Sequence, residues 1–82
     1  MHLEIITPEK KLFAGEVKLV QAPGSMGSFE ILNNHAPIIS TLETGKIKVV
    51  NMEDVTTFID IGGGLLEAKQ NKITILAEPV KT

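Results

Sequence analysis

The chain has no Cys, no Trp, no Tyr and no Arg among its 82 residues, and only three Phe and two His. Without Cys there is neither a disulfide framework nor a thiolate ligand. His2 and His35 lie far apart and lack the paired spacing of a zinc site, so no metal and no cofactor are expected. A chain of this size buries roughly 60% of the surface it would expose unfolded. With disulfide and metal both set aside, a protein partner is the remaining way to reinforce so small a core. Eight Lys face ten Asp and Glu, a net charge of -2, with the two signs interleaved. Lacking a basic stripe and aromatic platforms, the chain is not expected to bind nucleic acid. No long hydrophobic run occurs either: Met1 to Ile6 includes Glu4 and runs into Thr7-Pro8-Glu9-Lys10-Lys11. That is too short for a leader or a membrane span, and a cytoplasmic chain without direct membrane insertion is expected.

What is present is β-branched. Six Val, ten Ile and seven Thr make 23 of 82 residues, side chains that lose rotamer freedom in helices and pack well on a pleated surface. Glu16-Val17-Lys18-Leu19 and Lys46-Ile47-Lys48-Val49 alternate polar and apolar, which puts Val17 with Leu19, and Ile47 with Val49, on one face. No window carries an apolar stripe at helical spacing over ten or more residues. Turn residues cut the chain at Thr7-Pro8, Ala14-Gly15, Pro23-Gly24, Asn33-Asn34, Thr44-Gly45, Glu53-Asp54, Gly62-Gly63-Gly64 and Gln70-Asn71. The strand candidates between them are Leu3–Ile6, Leu12–Phe13, Glu16–Gln21, Ser28–Leu32, Ile38–Glu43, Lys46–Val50, Val55–Ile61, Leu65–Lys69 and Ile73–Ala77. This spacing predicts one all-β domain over residues 1–82, a sandwich or small barrel. Leu19, Ile31, Leu42, Val49, Ile59, Leu66 and Ile75 are its expected core.

Chemistry finds little purchase. Ser28, His35 and Asp60 supply a nucleophile, a base and an orienting acid on paper, but each has a plainer role: strand start, loop histidine and solvent-facing strand residue. No catalytic residue is assigned. Gly62-Gly63-Gly64 is followed by no Gly-Lys-Ser/Thr and by no helix, and reads as a bend rather than a phosphate cradle. Glu43-Thr44-Gly45-Lys46-Ile47 loosely resembles the lipoyl turn of carrier domains, which makes Lys46 an alternative attachment site. However, Gly45 replaces the acidic residue expected before the modified lysine, and the biotinyl Met-Lys-Met is absent. His35-Ala36-Pro37 is a defined loop, since Asn33 and Asn34 tolerate left-handed backbone and Pro37 holds Ala36 extended.

In order along the chain, His2-Leu3-Glu4-Ile5-Ile6-Thr7-Pro8-Glu9-Lys10, Leu12-Phe13-Ala14-Gly15-Glu16-Val17, Ala22-Pro23-Gly24-Ser25 with Gly27, His35-Ala36-Pro37, Gly63-Gly64-Leu65-Leu66-Glu67 and Asn71-Lys72-Ile73-Thr74-Ile75-Leu76-Ala77-Glu78 resemble the N-terminal domain of ATP synthase epsilon subunits. The resemblance implies a flattened sandwich of roughly ten short strands. It implies a non-catalytic part of the central stalk, bound to the gamma subunit and facing the ring of c subunits, at the cytoplasmic face of the plasma membrane, coupling proton translocation to ATP synthesis. By position, His35 and Thr7 fall in the gamma-facing region. Ser25, Met26, Gly27, Ser28 and Glu30 fall in the loop facing the c ring, although the family often has an acidic residue where Ser28 stands and a small one where Glu30 stands. The family's Pro-Gly before the loop histidine is Asn33-Asn34 here. Its C-terminal helical hairpin has no counterpart in Glu78-Pro79-Val80-Lys81-Thr82, so hairpin-dependent braking of ATP hydrolysis and ATP binding by that hairpin are not expected.

Overall fold

A computed structural model describes residues 1–80, and it is all β. Six strands follow one another: β1 (His2–Ile6), β2 (Lys11–Gly24), β3 (Gly27–Leu32), β4 (Ile38–Asn51), β5 (Thr56–Lys69) and β6 (Lys72–Ala77). Hydrogen bonding orders them β1-β6-β5-β4-β2-β3, and β1 also pairs with the start of β2, which closes the sheet on itself. All neighbours are antiparallel except β1 and β6. The closure is flattened, with extents of 33 × 25 × 19 Å.

Six strands stand where roughly ten were expected, because three of the turn signals do not end strands. Ala14-Gly15 lies inside β2, Thr44-Gly45 inside β4 and Gly62-Gly63-Gly64 inside β5. Each of these 14-residue strands bends and passes from one layer of the sandwich to the other, so the nine short candidates survive as segments. One layer holds the first half of β2, β1, β6, the second half of β5 and the first half of β4. The other holds β3, the second half of β2, the second half of β4 and the first half of β5. At the β5 bend Gly63 and Gly64 have φ of 108° and 155°, backbone that favours glycine.

A bend also shifts the alternation of side chains. In β2, Val17 pairs with Asn51 and Leu19 with Val50, so two residues advance against one and Lys18 forms a bulge. The face flips there. Val17, Val20 and Ala22 are buried, whereas Leu19, expected beside Val17, is only partly covered. In β5 the alternation changes at the Gly63-Gly64 bend with the register unbroken, so that Ile61 and Gly63, then Leu66 and Ala68, are buried. Of the expected core, Ile31, Leu42, Val49, Leu66 and Ile75 are buried, while Leu19 and Ile59 are half-buried at its margin. Leu3, Ile5, Ile47, Ile61 and Ile73 complete the centre, each at most 1% exposed.

Candidate partner-binding surfaces

His35 sits in the exposed connection from β3 to β4. Its Nδ1 lies 2.7 Å from the carbonyl oxygen of Ala36, which can only accept, so Nδ1 carries the hydrogen. In the neutral ring Nε2 is then left as an acceptor turned to the surroundings. Thr7 closes β1 from the far end of that strand. Its N–H and its hydroxyl both donate to the Lys10 carbonyl, at 2.8 and 3.0 Å, and its hydroxyl accepts the Lys10 N–H at 3.2 Å. At 7% exposure Thr7 has almost no surface of its own; it shapes the turn that presents Pro8. The structure does not bring the two residues together: the His35 loop adjoins the start of β1 and Thr7 follows its end, so the five residues of that strand, about 17 Å, lie between them.

A strip of apolar side chains lies on the outer face between them, and the sequence reading did not single it out. Thr41 pairs with Leu65, Leu65 with Leu76 and Leu76 with Ile6, and Ile39 stands diagonally beside Leu65. Ile39 is 69% exposed, Leu76 54% and Leu65 39%. The strip starts next to Pro37 at the end of the His35 loop and finishes next to Thr7 and Pro8. A signal for it was present: Ile5-Ile6, Ile38-Ile39, Leu65-Leu66 and Ile75-Leu76 are doubled apolar residues in strands, and adjacent side chains point to opposite faces. One of each pair fills the core and the other must face out.

Ser25 and Met26 form the tip of the β2–β3 hairpin, where Gly24 pairs with Gly27. A side chain at Gly24 would collide with the Gly27 carbonyl and the Phe29 ring, at 2.6 and 2.7 Å, and Gly27 takes the left-handed step with φ 123°. Met26 projects fully, at 101% exposure. The tip is fastened to β4, because Ser25 N–H donates to the Thr41 carbonyl at 3.0 Å and the Thr41 hydroxyl donates to Ser25 Oγ at 2.9 Å. Ser28 pairs with Pro23 and Glu30 with Gln21, both exposed on β3. Through Thr41 the hairpin tip adjoins the apolar strip, so the two surfaces are contiguous.

The carrier reading of Lys46 loses its premise. Lys46 is not at a hairpin tip but within β4, opposite Asp60 on β5, and its Nζ lies 2.7 Å from Asp60 Oδ1. That ion pair also engages Asp60 away from Ser28 and His35; among the described residues none of these three bonds to another. Among the described residues there is no cluster of three or more His, Cys, Asp or Glu able to hold a metal ion.

The family model that describes the ATP synthase delta/epsilon chain β-sandwich domain matches residues 1–82. The chain belongs to that family. The epsilon chain of the ATP synthase of Caulobacter vibrioides is 45% identical to this epsilon-family domain over 78 residues, spanning 95% of the present chain and 90% of the relative. The epsilon chain of Campylobacter hominis is also 45% identical over 78 residues, yet the match spans only 60% of that protein. A Chlorobaculum tepidum epsilon chain is 38% identical and covered to 89%. The family fold recurs in solved assemblies. A chain of the Euglena gracilis mitochondrial ATP synthase superposes with a TM-score of 0.86 at 17% identity, over 92% of this chain and 48% of that one. One from the central stalk and c ring of Tetrahymena thermophila mitochondrial ATP synthase gives 0.79 at 19% identity, over 95% and 63%. Among the described residues no helix is long and apolar enough to cross a membrane.

Proposed function

We propose that this epsilon-family domain is a non-catalytic connector in the central stalk of a rotary ATP synthase. It binds the gamma subunit through the outer face bearing Ile39, Leu65 and Leu76, with His35 and the Thr7–Pro8 turn at the borders. The β2–β3 hairpin tip, Ser25 to Gly27 with Ser28 and Glu30 behind it, faces the c ring. The connection couples proton translocation to ATP synthesis from a peripheral position at the cytoplasmic face of the membrane.

The apolar strip carries the reading. Three large aliphatic side chains in adjacent rows of the sheet form a contiguous patch whose exposure to water is unfavourable, and covering it adds to the stability of a small core. The family match and the solved assemblies support a rotary synthase as its setting. The fastening of the hairpin tip to β4 suits a part that must transmit force without yielding.

Co-purification with gamma tests the proposal. A stoichiometric complex that survives moderate salt is expected, because apolar burial is little screened. Failure to associate across salt conditions would refute it.

A further inference from the structure

The loop that carries His35 is exposed from Asn33 to Pro37. Its own hydrogen bonds are local: His35 N–H donates to the Leu32 carbonyl at 3.2 Å, and the ring bonds to Ala36. The stronger ties to distant chain come from one side chain, that of Asn71, in the turn between β5 and β6. Asn71 Oδ1 accepts the Asn34 N–H at 2.8 Å, and Asn71 Nδ2 donates to Asn33 Oδ1 at 2.9 Å. A backbone N–H can only donate, which fixes the orientation of the Asn71 amide and leaves its NH2 for Asn33. Asn33 Oδ1 also stands 3.4 Å from the Met1 amino group. Asn34 and Asn71 have φ of 62° and 60°, left-handed backbone that asparagine accepts better than most residues.

We infer that Asn71 is a positioning residue for partner binding: its carboxamide clasps Asn33 and Asn34 and so holds His35 in the conformation that gamma meets. The inference rests on the reading of His35 as a gamma-facing residue. A loop held in its bound shape loses less conformational freedom on association than one that must be ordered by the partner. The clasp therefore contributes to affinity without touching gamma.

Asn71→Gly is the informative variant, because glycine keeps the left-handed backbone while the clasp is removed. Asn71→Asp keeps the acceptor for Asn34 but cannot donate to Asn33 Oδ1. In the isolated chain, Asn71→Gly is expected to speed hydrogen exchange at the Asn34 amide by about tenfold or more, with little change in melting temperature. Its dissociation constant for gamma should rise about tenfold, and His35→Ala should cost less affinity in the Asn71→Gly background than in the unaltered chain. Asn71→Asp should retain much of the Asn34 protection and an intermediate affinity. Unchanged exchange, or unchanged affinity with faster exchange, would overturn the inference while gamma binding by the unaltered chain stands. A fall in global stability as large as the loss of binding would also overturn it. Absence of gamma binding by the unaltered chain would instead overturn the underlying reading, and the exchange measurement would still report the clasp itself.

Discussion

Gly64 and Leu76 meet backbone to backbone where β5 turns from one layer of the sandwich into the other. A β-carbon at position 64 would overlap the Leu76 carbonyl oxygen and stand 3.0 Å from the Ala77 α-carbon, and φ at Gly64 is 155°. The close approach lets one continuous strand pair with β4 along its length and with β6 after the bend.

Gly64→Ala is accordingly expected to destabilise the domain by about 2–4 kcal/mol, combining overpacking against main chain with unfavourable backbone. Gly15→Ala is the control, since a β-carbon there meets only the Phe13 ring at 3.8 and 3.9 Å. Its effect should stay within about 0.5 kcal/mol. Urea denaturation of both variants decides the matter, and equal stability would show that the bend tolerates a side chain.

Leu65 and Leu66 are neighbours with opposite assignments. Leu66 is fully buried, and its truncation to Ala should cost about 2–5 kcal/mol in folding. Leu65→Ser removes outward surface, so folding should change by less than about 1 kcal/mol while the dissociation constant for gamma rises at least about tenfold. Thermal melts and gamma titration on the same preparations separate the two effects.

His35→Ala and His35→Glu should weaken association with gamma more than they lower the melting temperature. The loop is exposed, and among the described residues the histidine ring bonds only to the carbonyl of its neighbour Ala36. Equal losses of folding and binding would make His35 a structural residue.

Met26→Asp tests the hairpin tip. The side chain touches solvent on all sides in the isolated domain, so the melting temperature should hold. Proton pumping driven by ATP hydrolysis should fall in a synthase reconstituted with the variant, if a c-ring contact is formed there. Undiminished pumping would remove this loop from the interface.

Lys46→Ala should change stability by no more than about 1 kcal/mol, because the pair with Asp60 is well exposed on both sides. Intact mass after expression in the native host is expected to show no lipoyl or biotinyl adduct on Lys46.

The sequence by itself determined the all-β class, the positions of nine extended segments, the turns at Thr7-Pro8, Asn33-Asn34 and Gln70-Asn71, and five core side chains, Ile31, Leu42, Val49, Leu66 and Ile75. These depend on local information: β-branched residues, alternation over four to six positions and residues that accept unusual φ. Only the tertiary structure decided that Ala14-Gly15, Thr44-Gly45 and Gly62-Gly63-Gly64 lie inside strands instead of ending them. Whether a glycine step closes a hairpin or turns a corner depends on which strand lies alongside, and pairing between distant residues is not written in either segment alone. The flip at Lys18 has the same origin, for a bulge is defined against the partner strand. The outward members of the doubled pairs were legible as a pattern. Their assembly into one strip was not, because Ile39, Leu65 and Leu76 become neighbours only when β4, β5 and β6 hydrogen-bond in register.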